Sequence, residues 1–98
     1  MTVLELLSDP KRWTQDAFAR DSTGFKCDVD APDAQCFCLL GAIYKCYGTW
    51  PSQTAFEPIR EKINKSPTWQ KFEYSSTAQF NDHVDYETLV QMLKEANI

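Results

Sequence analysis

Eight residues in mid-chain, Cys36-Phe37-Cys38-Leu39-Leu40-Gly41-Ala42-Ile43, carry no charge, so whatever this chain becomes must be built around them. Read as helix, the run extends from Asp30 to Gly48. Pro32 falls early, where its missing donor does no harm, Asp33 favours the positive helix end, and Gly48 supplies the stop. At about 100° per residue, Cys36, Leu39, Leu40, Ile43 and Tyr47 share one face. Ala34, Cys38, Gly41 and Ala42 lie round the other side, with Lys45 the sole charge. A helix apolar or small nearly all round is central, and its small side lets a second element approach closely, which gives Gly41 a packing role. The expected fold is mainly α, at the margin of α+β: a compact single domain over 1–98, with four to five helices around a central helix at about 31–47 and a small β-hairpin at about 17–28.

The hairpin rests on Ala17-Phe18-Ala19-Arg20 and Phe25-Lys26-Cys27-Asp28, which flank the turn cluster Asp21-Ser22-Thr23-Gly24. A short first helix is capped by Thr2, carries Val3, Leu4, Leu6 and Leu7, and stops near Asp9-Pro10. Past the break at Trp50-Pro51-Ser52, Thr54 and Glu57 make a capping box for a helix ending near Lys65, with Pro58 in or just past its first turn. Ser66-Pro67-Thr68-Trp69 is a second break, and the segment to Ser76 stays open. A short helix runs through Ala78-Gln79-Phe80. Asp85 caps the last helix, Val84 staples onto Leu89, and Tyr86, Leu89, Val90 and Leu93 form its buried stripe.

Composition narrows the classes of function. A chain of 98 residues can bury about 60 to 65% of its unfolded surface. With 43% hydrophobic residues it does so without disulfides. A net charge of −4 argues against nucleic acid as a direct ligand. No apolar run approaches the roughly 18 to 20 residues of a membrane span, and Glu5 stands where a signal peptide wants bases. A cytoplasmic chain is expected, with no membrane partner and with Cys27, Cys36, Cys38 and Cys46 reduced.

The sharpest enzymatic reading is a thiol nucleophile: Cys36 near the positive end of a helix, His83 as base, and Asp85, Asp82 or Asn81 to orient it. Against it, Cys36 belongs to the apolar stripe, where thiols are inert. Four thiols and an imidazole suit zinc by type, yet the cysteine intervals are nine, two and eight residues, and Cys36 and Cys38 point about 200° apart on a helix. No metal and no cofactor is expected. Asp28, Asp30 and Asp33 lack calcium-loop spacing, and Arg60, Lys62, Lys65 and Lys71 are interrupted by Glu61 as on a solvated face. Three segments remain: Trp13-Thr14-Gln15, Arg20-Asp21 and Phe80-Asn81-Asp82. Either their polar groups satisfy one another, Arg20 to Asp82 for instance, or Trp13, Gln15, Arg20, Asp21, Asn81 and Asp82 form a binding site.

Taken in order, Trp13-x-Gln15, Ala19-Arg20-Asp21, Cys36-x-Cys38-Leu39-x-Gly41-Ala42 and Phe80-Asn81-Asp82 before a final helix resemble an uncharacterised small domain family of bacterial and phage proteins. The resemblance spans most of the chain, and its blocks are specific in combination. A tryptophan often sits between the two cysteines of that pattern; Phe37 here keeps the aromatic, which points to packing. The resemblance implies a small cytoplasmic protein with no established activity. It places any shared site on Gln15, Arg20, Asp21, Asn81 and Asp82, with His83 outside the motif. The resulting expectation is a non-catalytic binding or regulatory protein, a monomer or weak homo-oligomer, that contacts an unidentified protein partner. One form of it is a phage-borne inhibitor whose carboxylates occupy a basic host surface made for nucleic acid. The alternative is the thiol-dependent enzyme using Cys36 with His83.

Overall fold

A computed structural model of the chain describes residues 1–72 and 76–98. Among them are helices α1 (Val3–Leu6), α2 (Leu39–Tyr47), α3 (Glu57–Asn64), α4 (Pro67–Lys71), α5 (Thr77–His83) and α6 (Tyr86–Ala96). Strands β1 (Ala19–Asp21), β2 (Lys26–Cys27) and β3 (Ala34–Phe37) complete the fold. The class is mainly α with a small antiparallel sheet, as the sequence predicts. No helix of the described residues is long and apolar enough to cross a membrane.

The mid-chain run departs from expectation. It is not one helix: Ala34–Phe37 is a strand that pairs antiparallel with β1, Ala19 opposite Phe37 and Arg20 opposite Cys36, giving the sheet order β2-β1-β3. The hairpin at 17–28 forms as expected, Ala19 opposite Cys27, but its inner strand has a second edge that needs a partner. Residues 28–34 spend their polar groups on turns instead of a helix start. The Ala31 N–H donates to the Asp28 carbonyl at 3.0 Å and the Ala34 N–H to the Ala31 carbonyl at 3.1 Å. Pairing across the sheet thus outweighs the helical period of a short apolar run, which periodicity alone cannot distinguish from a buried strand.

Helix α2 therefore starts at Leu39, with Cys38 in extended backbone as its cap; the Cys38 Sγ accepts from the Gly41 N–H at 3.3 Å. It buries Leu39, Leu40, Gly41, Ala42 and Ile43 and ends at Gly48, whose φ of 69° is the left-handed stop that glycine permits. Gly41 has the packing role read from the sequence: a Cβ there would overlap the Phe18 carbonyl, the group that accepts the Cys38 N–H at 3.1 Å. The residue that leads into β1 and the start of helix α2 are held together at backbone contact.

Local caps set the remaining helices. Thr2 and Glu5 close a full capping box on α1, and the Ile98 carbonyl accepts the next two orphan donors, Val3 N–H at 2.6 Å and Leu4 N–H at 3.4 Å. The Thr54–Glu57 box does not form; Thr54–Phe56 is a 3-10 turn that runs straight into α3, with Pro58 in the first turn. The second break is itself a cap, since the Ser66 hydroxyl accepts the Trp69 N–H and starts α4. Of the open segment to Ser76, residues 73–75 lie outside the described residues. Asp85 caps α6, and Leu89 and Leu93 are buried as predicted, but Met92 and Ala96 take the places expected of Tyr86 and Val90, which are half-buried. The stripe turns because α6 is packed by three helices, α1, α3 and α4, and not by one neighbour along a single line.

Candidate functional site

Asn81 stands on α5 with 1% of its surface exposed, and its amide makes every hydrogen bond it can. Its Oδ1 accepts the Trp13 indole N–H at 2.6 Å and the Leu39 N–H at 2.8 Å, the latter an orphan donor of α2. Its Nδ2 donates to the Thr14 carbonyl at 3.1 Å and to Asp82 Oδ1 at 3.0 Å. One side chain thus ties the start of α2, the loop at 13–14 and its own helix together.

Gln15 and Asp82 extend the knot. The Gln15 Nε2 donates to the carbonyls of Asn81 at 3.0 Å and Val84 at 3.1 Å, groups left over where α5 ends. Asp82 Oδ1 also accepts the N–H of Asp16 at 3.0 Å, a residue in left-handed backbone with φ of 63°. Arg20 does not pair with Asp82. Its guanidinium donates to Thr14 Oγ1 at 2.9 Å, the Gly24 carbonyl at 3.1 Å and the Gln15 carbonyl at 3.3 Å, because loop oxygens lie within its reach while Asp82 is engaged by Asp16 and Asn81. Trp13, Gln15, Arg20, Asn81 and Asp82 come together in this network. Asp21 faces its own turn instead: Oδ1 accepts from the Thr23 hydroxyl and from the N–H groups of Thr23 and Phe25, and the Thr23 hydroxyl leads in holding the carboxyl below its ordinary value.

The network fixes a wall. Beside it opens a cavity of about 510 Å³ bordered by Asp16, Phe18, Lys26, Cys27, Cys38 and Asp82. A second hollow of about 330 Å³ shares Phe18 and Cys27 and adds Asp28, Val29, Asp30, Tyr44 and Trp50. Phe18, 55% exposed, stands between the two, its ring edge-on to Trp50 at 5.3 Å. Trp50 in turn stacks on Tyr44 at 4.6 Å and 12°. Sequence reasoning missed Phe18 and Tyr44; Trp50 it offers only as an exposed aromatic that could mark contact between copies of the chain. The signal that finds Phe18 is a short hairpin carrying more aromatic surface than two and three residues of strand can bury, since Phe25 is also exposed, at 72%.

The thiol reading meets a different geometry. Cys36 lies in β3, not in a first helical turn, with its Sγ 4.0 Å from the Arg20 carbonyl. His83 Nδ1 faces the Gln79 carbonyl at 2.8 Å, and Asp85 Oδ1 accepts the Thr88 N–H at 2.8 Å. The thiol that does sit at a helix start is Cys38, and there burial pushes it up despite the bond from the Gly41 N–H. Burial likewise raises Cys27 and Cys46, and all four cysteines are free. Among the described residues no three of His, Cys, Asp or Glu are grouped to hold a metal ion.

Comparison with known proteins finds no match among curated proteins and none among solved structures. Residues 2–97 match the model of a family of unknown function, DUF6197.

Proposed function

We propose that this chain, which belongs to the DUF6197 family of unknown function, is a small non-catalytic binding protein that acts by contact with another protein through its hairpin face. One observation carries the reading: Trp13, Gln15, Arg20, Asn81 and Asp82 spend their polar groups on holding the loop at 13–18, and what that loop presents outward is the exposed Phe18 between two hollows. A rigid aromatic beside a cavity suits an interface anchor, since little freedom is lost when a partner covers it. Asp16, Asp82, Asp28 and Asp30 border the same hollows against the single base Lys26, so the matching partner surface is basic. An inhibitor that covers a surface made for nucleic acid has this character.

The test is native mass spectrometry of the untagged protein isolated from its own cells, beside a Phe18→Asp variant. The wild type retains a partner that rising salt releases, and the variant loses it while keeping its thermal melt. A wild type that emerges bare, and that also binds no basic nucleic-acid enzyme at low salt, overturns the reading. So does a complex indifferent to Phe18.

A further inference from the structure

We infer that the hollow between Phe18, Tyr44 and Trp50 is a seat for a cationic side chain, an arginine of the partner protein. The inference rests on the protein-contact reading above and adds the chemistry it uses. Three aromatic rings wall the hollow: Trp50 stacked on Tyr44 with 12° between planes, and Phe18 set edge-on at 66° to Trp50. Aromatic faces attract a cation through the ring quadrupole, tryptophan most strongly, and a planar guanidinium can lie flat on them. Two carboxylates, Asp28 and Asp30, border the same hollow, and no Lys or Arg does. The Tyr44 hydroxyl donates to Asp30 Oδ2 at 3.1 Å, which ties one carboxylate to the aromatic wall and leaves its other oxygen to a ligand. Among the described residues none of the chain's own cations fills this role. The ion pair they contain is Glu57 with Arg60, and Arg60 lies over the Phe56 ring, 5.0 Å from its centroid. Aromatic rings beside two carboxylates that can accept its N–H groups are the pairing arginine satisfies and a neutral side chain does not.

The probe is N-acetyl-arginine amide, titrated into the labelled full chain while the three indole N–H resonances are followed by NMR; Trp50→Phe assigns the one of interest. The Trp50 signal moves saturably while those of Trp13 and Trp69 stay in place. The uncharged N-acetyl-citrulline amide moves none of them. A double Asp28→Asn, Asp30→Asn variant, altered only at exposed positions, weakens arginine binding about tenfold. An equal Trp50 shift with citrulline, or arginine binding that survives the double variant, overturns the inference. Loss of the partner in Phe18→Asp with no Trp50 response to arginine leaves the protein-contact reading standing and removes the cationic seat. Arginine binding at Trp50 in a protein that retains no partner and binds no basic nucleic-acid enzyme at low salt removes the protein-contact reading, and with it the partner as the arginine's source.

Discussion

At Asn81 neither isostere can replace the amide. Aspartate keeps the two acceptances from Trp13 and Leu39, but it sets oxygen against the Thr14 carbonyl and the Asp82 carboxylate and buries a charge. Leucine leaves the Leu39 N–H and the Thr14 carbonyl without partners. We expect Asn81→Asp and Asn81→Leu each to cost about 3 kcal/mol or more in urea unfolding, against well under half of that for Asp82→Asn, whose site is half-buried. Glu95 makes a prediction in pH. Its carboxylate accepts the Ser66 hydroxyl at 2.6 Å, the Gln91 amide at 3.0 Å and the Thr68 N–H at 2.9 Å, and these bonds, Ser66 foremost, draw it from 4.5 down to about 2. The folded value lies below the unfolded one, so the stabilisation is complete above 4.5 and disappears as pH falls through about 2. The gap in melting temperature between wild type and Glu95→Gln is therefore widest above pH 4.5 and closes toward pH 2; a gap constant across that window contradicts the assignment.

Elements held by near neighbours are legible in the sequence, and those held by distant ones are not. Thr2 with Glu5, Asp85 with Thr88 and Gly48 after Tyr47 act within four residues, and each end they mark is where the chain places it. The turn at Asp21-Ser22-Thr23-Gly24 is of the same kind, closed by Asp21 itself. Strand β3 is not: Cys36 and Phe37 carry the period of either element, and their pairing with β1 is decided sixteen and more residues away. The site divides in the same way. Trp13, Gln15 and Asn81 stand out as polar groups beside aromatics, but the partner of Arg20 depends on which oxygens the folded loop brings near it. Gly41 joins the two halves of this lesson, because its smallness is visible locally while the Phe18 carbonyl that requires it is not. Gly41→Ala gains about 1 kcal/mol of helix preference and loses more to overlap with backbone that cannot rotate away. We expect a net loss of about 2 kcal/mol, with the largest amide shifts in residues 16–19 and not within α2; a neutral or stabilised variant contradicts the close approach.

At the scale of the fold, α1 and α6 are joined through Ile98. The Ile98 side chain is buried in the core, and its carbonyl caps α1 while also accepting the Tyr47 hydroxyl at 3.4 Å. Tyr86 reinforces the same junction, its hydroxyl donating to the Leu7 carbonyl at 2.6 Å. Ile98→Ala should cost about 2 to 4 kcal/mol. It should also speed hydrogen exchange at Val3 and Leu4 as much as along α6; an effect confined to α6 contradicts the junction. The junction bears on how the chain is made. A ribosome delivers α1 before α6, and the carbonyl that caps α1 follows 95 residues after Val3. During synthesis Val3, Leu6 and Leu7 have nothing of α6 to pack on until it is made, so the nascent chain carries α1 unsettled until Ile98 has emerged, and a chain broken off between the two offers that apolar turn to chaperones and proteases.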